Sequence, residues 1–130
     1  MAEISNYLEN AIINATLRNT TYTSVATVYV SLWTSDPTDA GSGTEVSTSG
    51  TSYARTAVTF GAPSNGASLN SADVTFPTAT ASWGTVGWIG INDAATSGNL
   101  LYHTALDTAK AIDSGDIFKI STGNLSVTLA

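Results

Sequence analysis

The hydrophobic period of this chain changes once along its length, and that change constrains its fold more than any other feature. From Glu3 to about Arg18, the apolar residues Ile4, Leu8, Ala11, Ile12 and Ala15 recur at steps of three and four, with Glu9 and Asn10 between them. Such spacing gathers side chains on one face of an α-helix. Tyr7, Ile13 and Leu17 widen the apolar surface past one stripe, which fits either one broad core contact or contacts on two sides, to its own sheet and to a neighbour. Arg18 and Asn19 suit the helix end, where a cation meets the last carbonyls and Asn tolerates the left-handed conformation. From Ser24 onward the period is two, punctuated by Gly, Asn, Asp and Pro, so the rest reads as strands.

Residues 25–33 carry bulk on both alternating faces, with Val28, Val30 and Leu32 against Tyr29 and Trp33, as a central strand covered on both sides requires. Asp36-Pro37-Thr38-Asp39 reads as a turn, because Asp bonds locally to backbone and Pro fixes φ. Residues 41–52, rich in Gly, Ser and Thr, read as an exposed loop. Strands are expected over 53–60, 72–76, 83–91, 100–106, 109–112, 117–121 and 125–129, with a hairpin-like connection over 92–99. The connections are too short for helical crossovers, so pairing is antiparallel. The expected fold is mainly β: an antiparallel β-sandwich or jelly-roll-like domain of about eight strands with one N-terminal α-helix. One domain spans 1–130, with a helical arm over 1–20 and the sandwich over 24–130.

Composition narrows the function classes. Charged residues are only 11% of the chain and the net charge is −6, with ten acidic residues facing Arg18, Arg55, Lys110 and Lys119. Neutralising a phosphate backbone takes a basic stripe, so direct nucleic-acid binding is not expected. The N-terminus has no basic region followed by an apolar one, and no run approaches 18 apolar residues, so neither secretion nor a membrane span is predicted. There is no cysteine, which removes disulfides, thiolate metal sites and Cys nucleophiles.

Catalytic signals are equally sparse. His103 is the sole histidine, and in an apolar strand it reads as a packing or surface residue; no nucleophile elbow, phosphate loop or HExxH-like pair accompanies it. No enzymatic activity and no cofactor are expected. Asp36, Asp39 and Glu45 lie close enough in sequence to suggest calcium, but they lack the alternating ligands and terminal Glu of an EF-hand loop, so they read as turn caps and solvated charge. Trp33, Trp83 and Trp88 sit in apolar strands, which favours core packing over a sugar-stacking platform.

The run Ser5-Asn-Tyr-Leu-Glu-Asn10, the segment 24–39 (SVATVYVSLWTSDPTD), Thr44-Glu-Val and residues 53–60 (YARTAVTF) together resemble a family of tailed-bacteriophage virion structural proteins, labelled tail-fibre-like or virion structural. The likeness continues through 72–78 (ADVTFPT), Trp83-Gly-Thr-Val86, Asn99-Leu-Leu-Tyr102 and Phe118-Lys-Ile. It implies a component of a phage particle, made in the host cytoplasm and carried on the outer surface of the virion. Small size makes a capsid decoration (cement) protein the leading expectation, bridging major capsid protein subunits and associating with copies of itself, as in a trimer. A tail- or fibre-associated structural protein is the alternative, and a host-glycan-binding module is the third reading. Ile4, Leu8 and Ile12 are the expected protein-contact residues, on the premise that the helix lays this face against a partner.

Overall fold

A computed structural model describes residues 2–129. In chain order the elements are β1 (Glu3–Ile4), α1 (Asn6–Leu17), β2 (Val28–Trp33), β3 (Thr56–Val58) and β4 (Ala67–Leu69). They are followed by β5 (Val74–Thr75), β6 (Gly84–Asn92), β7 (Leu100–Ile112), β8 (Lys119–Ile120) and β9 (Ser126–Thr128). Five strands form one antiparallel sheet in the order β1-β7-β6-β2-β3, and two two-stranded ribbons, β4–β9 and β5–β8, complete the β structure. The mainly β, antiparallel reading with one N-terminal helix therefore holds.

The inner side of the sheet follows the two-residue alternation of its sequence. Val30 and Leu32 of β2 stand opposite Ile91 and Ile89 of β6. All four join a buried cluster with Val74, Phe76, Phe118, Ile120 and Val127 from the ribbon side. Apolar side chains of this size gain about 1.5–3 kcal/mol each from full burial, so this layer carries most of the hydrophobic drive. Its centre is aromatic: Tyr53 meets Trp83 edge-on at 5.4 Å, and Phe76 meets Phe118 edge-on at 5.6 Å. Asn70 ties the ribbon layer together, accepting from the Leu125 amide at 2.9 Å and donating to the carbonyls of Ala72 and Ser121 at 2.9 and 3.1 Å.

Several strands are shorter than the sequence expectation, and four larger departures have identifiable causes. The helix starts at Asn6, since Ser5 caps it by accepting from the Leu8 amide at 3.2 Å, and Glu3–Ile4 pair as a strand against β7. Residues 100–112 form one strand: a register shift lets two steps along β6, Val86 to Trp88, answer five along β7, Lys110 to Ala105. The polar stretch Asp107-Thr108, read as a break, falls within this irregular register and does not end the strand. Residues 41–52 include an added edge, with a Trp33–Glu45 bridge and the Val46 amide bonded to the Leu32 carbonyl at 2.9 Å. β4 went unforeseen because Ala-Ser-Leu offers one bulky apolar residue to a three-residue strand.

Two side-chain arrangements close the sheet. On the outer side, Trp33 Nε1 donates to Ser31 Oγ at 2.8 Å and Ser31 Oγ donates to Asn92 Oδ1 at 2.6 Å, all three residues being buried. Gly90 lies directly beneath: a Cβ there would stand 2.7 Å from both Ser31 Oγ and Leu100 Cδ1. At the sheet edge, Tyr53 Oη donates to Glu45 Oε2 at 2.6 Å while accepting from the Leu32 amide at 2.9 Å. Burial, then the Glu45 carboxylate, push the Tyr53 hydroxyl well above the usual phenol range.

Gly90→Ala should therefore destabilise the protein by about 1–3 kcal/mol through overpacking, read as a lower urea midpoint with an unchanged slope; an unaltered midpoint would mean the packed floor tolerates a methyl group. Tyr53→Phe leaves the buried Leu32 amide without its acceptor, at a cost of about 1–3 kcal/mol near neutrality. Because the folded phenol titrates higher than the unfolded one, its contribution is intact below about pH 10 and is lost as pH rises further. The stability gap between wild type and Tyr53→Phe should hold up to about pH 10 and shrink as pH rises above it, and a constant gap would refute the protected hydroxyl.

Candidate functional site

Two surface features stand out, and both begin at the junction of β1 and α1. Ser5 is buried at this junction: its amide donates to the Leu101 carbonyl at 2.9 Å and its hydroxyl donates to the Leu100 carbonyl at 2.5 Å. One residue on, the Asn6 amide donates to the Asp39 carbonyl at 2.9 Å. The first turn of α1 is thus fastened both to β7 and to the turn after β2, while its last turn ends freely. Asn19 adopts φ 53° after the Arg18 cap, the left-handed position the sequence suggested.

The expected contact residues separate on this frame. Ile4 is half-buried in β1 opposite Tyr102. Leu8 is 5% exposed and faces the interior. Only Ile12 reaches the surface, where it adjoins the more open Ile13 and Leu17, the last 79% exposed. The premise that Ile4, Leu8 and Ile12 form one outward face needs correction, because the first turn is used to dock the helix onto its own sheet. An acidic substitution at Leu8 would strike the domain interior rather than a partner contact. The outward apolar face is formed by Ile12 of the stripe together with Ile13 and Leu17, two of the residues the sequence marked as widening it.

The second feature surrounds His103. Its imidazole is 3% exposed, and Nε2 lies 2.9 Å from Asp39 Oδ1 and 3.8 Å from Glu3 Oε2. Asp36 Oδ1 faces Nδ1 at 3.9 Å. Strand pairing sets the first contact, since Glu3 stands directly across from His103 in the β1–β7 ladder. The turn sets the others: Asp36 Oδ1 accepts from the Thr38 amide at 2.9 Å, and Gly43 packs so tightly on the Asp36 carbonyl that a Cβ would come within 2.3 Å. The sequence treated Asp36 and Asp39 as turn caps and solvated charge, and His103 as a packing or surface residue. The turn and the packed histidine are found, but the Asp39 carboxylate is engaged by the ring, and the convergence of the three with Glu3 depends on folding.

Glu45, grouped with Asp36 and Asp39 in the sequence, works elsewhere. It accepts from Arg55 Nε at 2.9 Å and Nη2 at 2.8 Å, and Arg55 Nη1 reaches the carbonyls of Ala94 and Ser97 at 3.0 and 2.8 Å. The guanidinium is held charged chiefly by its Glu45 bonds, so this ion pair braces the β6–β7 connection. Trp33 and Trp83 are buried, and Trp83 Nε1 donates to the Thr51 carbonyl at 2.8 Å. Trp88 alone is half-exposed, which leaves no three-tryptophan platform for a sugar. Among the described residues no helix is long and apolar enough to cross a membrane.

The search of curated proteins returns no match. A family model described as Podophage GP4 fiber I protein gp80 matches residues 3–128, from the first strand to the end of the last. With nearly the whole chain covered, including the docked helix and every strand, the protein belongs to the family of podophage GP4 fiber I protein gp80.

Proposed function

We propose that this chain is a non-enzymatic structural subunit of the tail-fibre apparatus of a tailed phage, and that the outer face of α1 meets a neighbouring protein subunit there. The match to a fibre protein family over residues 3–128 is the observation that carries the reading. It favours the fibre station over the capsid-decoration role expected from chain size. Small, polar-surfaced β modules suit such work because many modest contacts between repeated subunits add through multivalency. Ile12, Ile13 and Leu17 supply an apolar patch on an otherwise Ser- and Thr-rich surface, and patches of this kind at the centre of an interface contribute most of its energy.

Station on the particle follows from copy number. Quantified bands from purified virions should give a count in small multiples of the tail symmetry, on the order of six to a few tens. Hundreds of copies would place the chain on the capsid shell and overturn the fibre assignment.

The contact face is tested by Ile13→Asp combined with Leu17→Asp. Both side chains are exposed, so the isolated domain should keep its unfolding midpoint to within about 0.5 kcal/mol. Incorporation into particles should fall at least about tenfold, the loss of roughly 1.4 kcal/mol or more of contact energy. Full occupancy in the doubly substituted particles would remove this face from the interface.

A further inference from the structure

The geometry points to a binding site for a divalent first-row transition cation, Zn²⁺ being the best fit, formed by Glu3, Asp39 and His103. One ligand atom from each of these residues lies within 4.8 Å of the other two. Ligands about 2.0–2.1 Å from a tetrahedral zinc stand about 3.3 Å apart. The observed Nε2 separations of 2.9 Å to Asp39 and 3.8 Å to Glu3 bracket that spacing. Closing them onto one ion takes rotamer adjustment at the two carboxylates, both well exposed, while the imidazole stays packed.

Three further observations favour a cation here. The imidazole is pre-set: His103 is 3% exposed, and its ladder position opposite Glu3 fixes both backbones. Asp36 lies 3.9 Å from the opposite ring nitrogen, and closing by about 1 Å to hydrogen-bond distance would let it orient a metal-bound imidazole as an outer carboxylate does. The charge is also unbalanced. Glu3, Glu9 and Asp39 line one open groove of about 560 Å³ whose lining includes no Lys or Arg. Arg55, which borders the other side of Asp39, is committed to Glu45. One imidazole, even protonated, answers only part of the carboxylate charge of Glu3, Asp36 and Asp39. An imidazole with carboxylates selects borderline cations, whereas calcium takes six to eight oxygens.

The ion would join three segments distant in sequence: β1, the turn after β2, and β7. Its task is to staple the N-terminal strand and the helix that follows to the sheet. This inference is independent of the fibre assignment, since it concerns the isolated chain.

The test uses the full chain, freed of any affinity tag and treated with a chelator, titrated with ZnCl₂ or CaCl₂ by calorimetry and by thermal unfolding. Zinc should bind at one ion per chain and raise the unfolding midpoint by roughly 5–10 °C at about a hundredfold excess over Kd. Calcium should do neither. Glu3→Gln and Asp39→Asn, both at exposed positions, should each lower zinc affinity at least about tenfold while retaining the fold by circular dichroism. Because His103 is the sole imidazole, its ¹⁵N resonances report on the site directly, and Nε2 should shift with zinc in the wild type. Absence of zinc binding, a response to calcium equal to that to zinc, binding unaltered in both variants, or a silent Nε2 would each overturn the site. In the first of these outcomes the cluster would be a salt-linked imidazole alone.

Discussion

The outer side of the sheet rests on a constraint at its centre: β2 is covered on both faces, and one of those faces is polar. Ser31 and Asn92 are buried, so each needs a hydrogen-bond partner. The chain from Trp33 Nε1 through Ser31 Oγ to Asn92 Oδ1 meets that demand, and among the described residues every buried side-chain nitrogen or oxygen is satisfied. The arrangement works only because Gly90 offers no side chain. Leu100 drops into the space instead, and Ser5 then bonds to the Leu100 carbonyl. The start of the helix is thereby positioned by a glycine eighty-five residues away in sequence.

Much of this architecture was legible before folding because it depends on local rules. Helical spacing over Ile4 to Ala15, alternation in residues 25–33 and the Asp- and Gly-rich connection at 92–99 each specify a short segment. The errors arose where a segment is decided by a distant partner. Glu3–Ile4 carry a helical pattern, yet unpaired β7 backbone at the sheet edge captures them. Residues 41–52 look like a loop by composition, yet Val46 has a buried slot and a carbonyl waiting at Leu32. Asp107-Thr108 looks like a break, yet the strand continues past it through a shift of register.

The surface was less legible than the interior, for a related reason. Periodicity identifies which residues share a face but not which face turns inward. Leu8 and Ile12 are four residues apart on α1, and the sequence treats them alike. Docking through Ser5 and Asn6 fastens the first turn to β7 and to the turn after β2, and exposure rises from Leu8 through Ile12 to Leu17. The His103 cluster was invisible in a stronger sense. Its four members come from three segments separated by more than thirty residues each, and no spacing motif encodes such a meeting.

Asp39 links the two surface features. Its backbone carbonyl receives the Asn6 amide at the start of α1, while its carboxylate holds His103 Nε2 at 2.9 Å. The residue therefore couples the direction of the helix to the state of the cluster: whatever fixes the Asp39 side chain also fixes the turn whose carbonyl caps α1. If α1 makes the proposed contact with a neighbouring subunit, it has to be presented at a constant angle, since subunits joined repeatedly accumulate any angular error along the assembly. A twelve-residue helix with one buried residue has too little packing of its own to hold such an angle. The rigidity has to come from its first turn, and that turn is where the buried serine, the paired strand and the histidine–carboxylate cluster are concentrated.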